Sequence, residues 1–340
     1  MVYKVSHIFR IFSNILSKKC YFCAVFYKLH KRNPYLYTNF NFVYCIVENM
    51  NLPSGSSDSD NQPLRIDLAR VLQAKLGGKS RLIPKFIIKR LEKTICADGL
   101  NQLLANNHPK TGADFCRGVF QDLNVTINAE NTRNLPSPDH RRVIIVSNHP
   151  LGGLDGMALI AFFNEYFGGK IHFLVNDLLM VVKPLADVFV PINKHGAQDR
   201  RAKELIDDIF AGDDPILIFP AGLVSRLGKN NVVRDLEWKK MFVNKAIASK
   251  RDIIPVYFSG NNSQFFYKFA RCRKRIGLKF NIEMIYLPRE VFRSAGKTFA
   301  ITCGPIIPWN TLKGGKQAVQ TADRIKQIVY SLPDRLDAGH

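Results

Sequence analysis

From Val119 onward, short apolar runs of strand length alternate with longer helical stretches, and nothing else in this 340-residue chain limits its fold as strongly. The runs Val143–Val146, Ile171–Val175, Phe189–Ile192, Ile216–Phe219, Ile253–Phe258, Ile282–Leu287 and Phe299–Thr302 are predicted strands. Gly156–Phe167, Arg200–Phe210, Leu236–Ser249 and Lys316–Leu332 are predicted helices. Strands separated by helices define an α/β class. The expectation is a central mixed, partly parallel sheet flanked by helices, preceded by a small N-terminal basic amphipathic helical region.

That region lies within residues 64–104, where the pattern is helical with a break near Gly77-Gly78. Leu82, Ile83, Phe86, Ile87, Ile88, Leu91 and Ile95 recur at three- and four-residue steps, among Lys79, Arg81, Lys85, Lys89, Arg90 and Lys93. The pattern fits an interfacial membrane segment, and equally a helix packed on the main domain with a solvated basic face. Upstream, residues 1–49 carry seven Lys/Arg, one acid (Glu48) and no helical or strand period. They read as an atypical, appended or mis-started extension, with the functional chain beginning near Met50. A polar linker at 50–63, a helical membrane-docking region at 64–115 and an α/β domain at 116–335 complete the expected organisation.

Composition narrows the partners. Lys and Arg number 49 against 28 Asp and Glu, a formal charge of +21, while 46% of residues are hydrophobic. Such a chain sustains a core, which excludes wholesale disorder and small disulfide scaffolds. The seven cysteines (20, 23, 45, 96, 116, 272 and 303) show neither a disulfide framework nor paired zinc-ligand spacing, so a reducing cytosolic compartment is expected. No run of 18 uncharged apolar residues suggests a spanning helix. The excess positive charge must then face an anion, either nucleic acid or a lipid surface.

Chemistry concentrates in Val143-Ile-Ile-Val-Ser-Asn148-His149-Pro-Leu-Gly152-Gly153-Leu-Asp155-Gly, where a buried strand runs into a His, a glycine turn, an Asp and an apolar helix. Ligands of open α/β sheets bind at the carboxyl ends of strands. A His placed there can act as general base, and an Asp can hold the imidazole in the tautomer that leaves one nitrogen able to accept a proton. Gly152 and Gly153 permit the tight turn that brings the two together. The plainer alternative is a polar turn in which Asp155 caps the next helix. A near copy of the string, Asn107-His108 to Asp114, follows helical Leu103-Leu104 instead of a strand, and no apolar helix is predicted directly after it. His108 and Asp114 are therefore set aside.

Two further segments matter. In Ile216-Leu-Ile-Phe219-Pro220-Ala-Gly222-Leu-Val-Ser225-Arg226, a buried strand ends in a Pro/Gly turn. Its Ser225 and Arg226 can donate to a phosphate or carbonyl, or the segment is an ordinary strand exit. Residues 264–280 hold five aromatics and six cations in 17 positions. That composition fits an interfacial anchor, a single-stranded nucleic-acid surface, or a solvated helix with core aromatics.

Taken together, the blocks resemble the glycerolipid acyltransferase superfamily, which contains the 1-acylglycerol-3-phosphate acyltransferases. They are Asn148-His149…Asp155, Lys183-Pro-Leu…Pro191-Ile-Asn-Lys194, Phe219-Pro-Ala-Gly-Leu-Val-Ser225 and Ile254-Pro-Val256, in family order across roughly 66–310. Five residues separate His149 from Asp155 where the family usually has four, a variant similar to the hemolysin-like and aminolipid acyltransferase branch. Ala221, Leu223 and Val224 stand where the family places a Glu, a Thr and an Arg that help hold a phosphate. This weakens a glycerol phosphate acceptor, with Arg226 and Lys194 as the available substitutes.

The resemblance implies His149 and Asp155 as catalytic residues. It implies substrate binding by Asn148, Gly152, Gly153, Lys194, Phe219, Pro220, Gly222, Ser225 and Arg226, with backbone donors near Gly222 on the oxyanion. The implied activity is membrane-associated O-acyl transfer from a thioester donor, acyl-CoA or acyl carrier protein, to a hydroxyl of a lyso-lipid. Attachment would be peripheral, on the cytoplasmic face, through residues 79–95 and 264–280. No metal or cofactor is expected, since the histidines lack HExxH or paired Cys/His spacing, and no G-x-S-x-G elbow exists. Gly77-Gly-Lys-Ser80 lacks the first Gly of a phosphate loop, Gln73 standing there. The alternatives are a glycerol-3-phosphate or 1-acylglycerol-3-phosphate acyltransferase, a catalytically inactive lipid-binding relative, and a nucleic-acid-binding protein. The last leaves His149 and Asp155 unexplained, so no nucleic-acid partner is expected.

Overall fold

The computed structural model describes residues 64–76, 83–176, 182–192, 198–228, 230–275, 277 and 281–333. The expectations for residues 1–49 and 50–63, for Gly77–Ser80, for Arg81 and Leu82, and for Lys194 lie outside the described residues.

Four helices lead in: α1 (Leu68–Leu76), α2 (Lys85–Thr94), α3 (Ala97–Asn106) and α4 (Gly112–Leu123). Pro84 caps α2, where its missing N–H costs nothing. The left-handed backbone of Cys96 (φ 53°) then separates α2 from α3, so the pattern after the glycine break makes two helices. Leu91 of α2 is buried, whereas Phe86 on the same helix is 62% exposed. α4 spans the boundary placed at residue 115 and sends Phe115, Cys116, Val119 and Phe120 into the main core. An apolar helix thus does follow the His108 string, contrary to expectation. Asp114 is nonetheless turned outward, paired with Arg117 at 2.7 Å on its own helix.

The remaining elements are β1 (Thr126–Glu130), β2 (Val143–Ser147), α5 (Leu154–Tyr166), β3 (His172–Val175), β4 (Phe189–Pro191), α6 (Gln198–Ala211), β5 (Ile216–Ile218), β6 (Arg226–Leu227), β7 (Val233–Arg234), α7 (Met241–Ser249), β8 (Asp252–Phe258), α8 (Gln264–Arg275), a 3-10 turn (Ile282–Tyr286), α9 (Leu287–Arg293), β9 (Thr298–Cys303) and α10 (Ala318–Ser331). One sheet runs in the order β1-β9-β8-β2-β5-β3-β4, and β6 and β7 pair separately. Strands β8, β2, β5, β3 and β4 are mutually parallel, while β9 meets β8 antiparallel and β1 runs with β9. The fold is α/β with a mixed, mostly parallel central sheet.

β2 is buried on both faces, and its alternating side chains feed two cores. Val143 and Ile145 meet α4 and α5 through Phe115, Val119, Leu159 and Phe163. Ile144 and Val146 meet α6, α7 and α10 through Phe210, Phe242, Val243 and Ile325. Each such side chain contributes about 1.5–3 kcal/mol on burial. Because the five parallel strands share one direction, the loops after β2 and β5 leave the same sheet edge, and the candidate site forms there.

One predicted strand fails. Ile282–Leu287 is the 3-10 turn and the start of α9, because fully buried Glu283 is held between Arg226 and Arg273 while Met284, Tyr286 and Leu287 pack on Val224, Phe266 and Tyr267. A ladder would require alternate residues to face one way, and these contacts forbid it. The predicted helix from Leu236 begins only at Met241. On the far edge of the sheet, the guanidinium of wholly buried Arg251 donates to the carbonyls of Phe210 (3.1 Å), Ile209 (3.2 Å), Asp214 (2.8 Å) and Gly212. This closes the end of α6 onto the start of β8. Burial, ahead of repulsion from Arg142, pulls the Arg251 pKa down to about 10, which leaves it charged at neutral pH.

Candidate active site

Asn148 fixes the direction in which the chain leaves β2. Its amide nitrogen donates to the Phe258 carbonyl at 2.9 Å and its oxygen accepts the Phe258 N–H at 2.7 Å. Only 2% exposed, it ties β2 to the end of β8, and both of its polar atoms are occupied by that strand instead of facing a substrate.

The next residue, His149, is paired with Asp155 across the turn: Nδ1 lies 2.9 Å from Asp155 Oδ2. The same oxygen accepts the N–H groups of Leu151 (2.8 Å) and Gly152 (3.2 Å), and Oδ1 accepts that of Gly156 (2.9 Å). The left-handed backbone of Gly152 (φ 83°) absorbs the extra residue in the turn. Burial pushes the Asp155 carboxyl upward, but the neighbouring His149 and the backbone donors outweigh it and hold the group below the usual carboxylate range. An ionised carboxylate can only accept, so His149 Nδ1 carries the hydrogen that faces Asp155, and in the neutral ring the lone pair is on Nε2. The imidazole is stacked on Phe219, ring centroids 4.0 Å apart and 18° from parallel. Phe219 in turn meets Phe173 edge-on at 5.3 Å. Held by its ring face on Phe219 and by the Nδ1 hydrogen bond to Asp155, the ring can take a proton only at Nε2.

The depressed Asp155 carboxyl has a measurable consequence. Its stabilising contribution is complete above the unfolded pKa of about 3.9 and is lost as pH falls through the lower folded value. The difference in urea midpoint between wild type and Asp155→Asn is therefore expected to shrink below about pH 4. A constant difference from neutrality to acid would show that no ionised carboxylate is involved.

The third block supports the His149 backbone more than it offers free donors. Ser225 N–H donates to the His149 carbonyl at 2.8 Å, and Ser225 Oγ donates to Asp235 Oδ1 at 2.5 Å. That Asp235 oxygen also accepts the His149 N–H at 3.2 Å, while Trp238 Nε1 donates to Oδ2 at 2.9 Å. Asp235 is thus a hub that the sequence reading missed. It lies beyond the recognised block, and its partners at 149, 225, 238 and 330 come from four separate segments. The Gly222 N–H closes the turn onto the Phe219 carbonyl at 2.9 Å, so it is not free for an oxyanion as expected. Pro220 accepts the Lys239 N–H at 3.0 Å, and Gly153 forms the N-cap of α5.

Arg226 pairs with Glu283, 2.9 Å away, and lies over the Phe266 ring at 5.6 Å. The basic aromatic stretch likewise faces inward. Phe266 and Tyr267 of α8 are core residues, Arg273 pairs with Glu283, and Arg271 donates to the Gly228 carbonyl at 2.8 Å. Phe265 and Phe269 are half-buried against Tyr286, which leaves Lys268, Lys274 and Arg275 on the exposed side of the helix. The interior reading holds for Phe266 and Tyr267, while Phe280 and Lys279 lie outside the described residues. Among the described residues, no three His, Cys, Asp or Glu side chains converge as metal ligands.

A strand-borne His–Asp pair at the carboxyl edge of a mostly parallel sheet is a framework for proton abstraction from an acceptor. The Acyltransferase family model matches residues 70–339, and the chain belongs to that family: it is an acyltransferase. It is 42% identical over 274 residues to the lyso-glycine lipid O-acyltransferase of Bacteroides thetaiotaomicron, covering 81% of this chain and all of that one. The protein of the same name from Phocaeicola vulgatus is 40% identical, covering 81% of this chain and 97% of its own. Among solved structures, the 1-acyl-sn-glycerophosphate (LPA) acyltransferase PlsC from Thermotoga maritima covers 89% of this chain and 92% of its own, with 14% identity and a TM-score of 0.41. That likeness is too loose to bear on substrate or mechanism.

Proposed function

We propose that the protein transfers a fatty acyl group from a thioester donor, acyl-CoA or acyl carrier protein, to a hydroxyl of a lyso-lipid acceptor of the lyso-glycine lipid type. The observation that carries this reading is the 2.9 Å contact between His149 Nδ1 and the buried carboxylate of Asp155, with the ring seated on Phe219. The acceptor class is supported by the names of the two relatives at 42% and 40% identity. In the reaction, His149 Nε2 takes the hydroxyl proton as the oxygen forms its bond to the acyl carbon. The carbon–sulfur bond breaks and the proton passes to the departing thiolate. Asp155 stabilises the imidazolium meanwhile and needs no proton itself. No metal or cofactor takes part in this scheme.

The site is proposed to work at a membrane surface, on the cytoplasmic face. Among the described residues no helix is long and apolar enough to cross a membrane. α2 suits attachment from one side, with Phe86 exposed beside Lys85, Lys89 and Arg90. Purified protein with anionic vesicles, lyso-glycine lipid and either acyl-CoA or acyl carrier protein thioester is expected to yield the diacylated lipid. Phe86→Ser combined with Lys85→Glu and Lys89→Glu should cut vesicle-bound turnover while sparing turnover on detergent-dispersed lipid. No product with either donor would refute the activity, and equal vesicle turnover by the variant would refute the attachment.

A further inference from the structure

β2 ends at Ser147, so the N–H and carbonyl of His149 lie beyond the ladder and need partners of their own. A short ribbon supplies both. β6 and β7 pair antiparallel, with Arg226 opposite Arg234 and Leu227 opposite Val233. Continued by one residue, that register sets Ser225 opposite Asp235 at the base of the ribbon. Ser225 N–H donates to the His149 carbonyl at 2.8 Å, and Asp235 Oδ1 accepts the His149 N–H at 3.2 Å. Ser225 Oγ closes the ring by donating to that same oxygen at 2.5 Å. One pair of residues thus holds both backbone polar groups of the histidine.

Asp235 is itself tied down on several sides. Trp238 Nε1 donates to Oδ2 at 2.9 Å, and Tyr330 of α10 accepts the Asp235 N–H at 2.7 Å. Lys326 of α10 donates to the Asp235 carbonyl at 2.9 Å and to the Leu236 carbonyl at 2.8 Å. The Tyr330 ring carries the Arg234 guanidinium at 4.3 Å and meets Tyr257 of β8 edge-on at 5.9 Å. Asp235 is only 6% exposed and both of its carboxyl oxygens are engaged, so its route to the reaction is through His149 and not through contact with substrate. Further along the turn, Val224 and Leu287 press so closely that a Cβ on Gly152 would stand 2.8 Å from a methyl of each.

We propose that Asp235 is a positioning residue for acyl transfer. It holds the His149 N–H and Ser225 together, which fixes the direction in which the imidazole leaves the backbone, and α10 anchors it through Tyr330 and Lys326. The proposal rests on His149 being the general base. Asp155 and Phe219 orient the ring, but neither bonds to the His149 peptide groups from which the ring hangs. A base carried on a shifted backbone misses the hydroxyl proton, and a misplacement of about 1 Å can cost about 10²-fold in rate.

Steady-state kinetics on folded protein test this. Asp235→Ala is expected to lower kcat about 10²-fold with KM within about twofold of wild type. Arg251→Leu, altered at a joint remote from the site, is the control for lost stability and should keep its kcat per folded molecule. The decisive comparison is made in His149→Ala protein. There Asp235→Ala should slow the residual rate by less than about threefold, because no imidazole is left to position. An equal loss in both backgrounds would overturn the assignment, as would wild-type kcat in folded Asp235→Ala or a raised KM at constant kcat. Tyr330→Phe removes one hydroxyl and keeps the ring, so it serves where Asp235→Ala fails to fold. Its kcat should fall about fivefold at unchanged KM, again only where His149 is present. Wild-type kcat in that variant would overturn the proposal, which requires the anchor. Full turnover in His149→Ala would sink the general-base reading itself, whereas a slow His149→Ala beside a fast Asp235→Ala would sink the positioning alone.

Discussion

Replacing His149 with alanine is expected to lower kcat by about 10³-fold, within the 10²–10⁴ that a positioned general base supplies, with KM little changed. The change removes the ring that Asp155 orients and Phe219 supports, yet Asp155 keeps its three backbone donors, Leu151, Gly152 and Gly156, so the turn should persist. Asp155→Asn should cost a similar factor for a different reason. With its NH2 at the Oδ2 position an amide would donate to His149 Nδ1 and reverse the tautomer that leaves Nε2 free; with its NH2 at the Oδ1 position it would oppose the Gly156 N–H, and in either case it carries no charge to stabilise the imidazolium. The double variant should then be scarcely slower than either single one, because both remove the same unit. Steady-state rates beside thermal melts check this, and near-wild-type turnover in folded His149→Ala protein would end the proposal.

Arg251→Leu is expected to destabilise the fold by about 3–5 kcal/mol, because several buried carbonyls lose a charged donor at about 1–3 kcal/mol each. Leucine fills part of the volume but strands the carbonyls of Ile209, Phe210, Gly212 and Asp214, which lie inside the joint between α6 and β8 and lose a charged donor together. Urea denaturation measures it. A midpoint within experimental scatter of wild type would mean that water replaces the guanidinium freely. The site lies at the opposite sheet edge, so the folded fraction of this variant should retain its turnover, which makes it a control for the histidine result.

These two residues also mark what the sequence made readable. β2, β5 and β8 stand out because burial on both faces makes them apolar throughout, and the proposed catalytic pair, His149 and Asp155, stands out because both partners lie within one turn. β1 was missed: as an edge strand it carries Thr126, Asn128 and Glu130 and buries little. Ile282–Leu287 misled because apolar content cannot reveal that Glu283 is the anion for two arginines distant in sequence. Asp235 and the clasp between Asn148 and Phe258 were invisible for the same reason, since their partners meet only once the sheet has formed. In the basic aromatic helix the composition was plain, and which side of it faces the core was not.

The crowding at Gly152 has a further bearing. With Leu287 and Val224 already against its α-carbon, the turn that presents the histidine has no slack. Trimming Leu287 would therefore loosen the turn that carries His149, so turnover should slow unless a compensating side chain refills the gap.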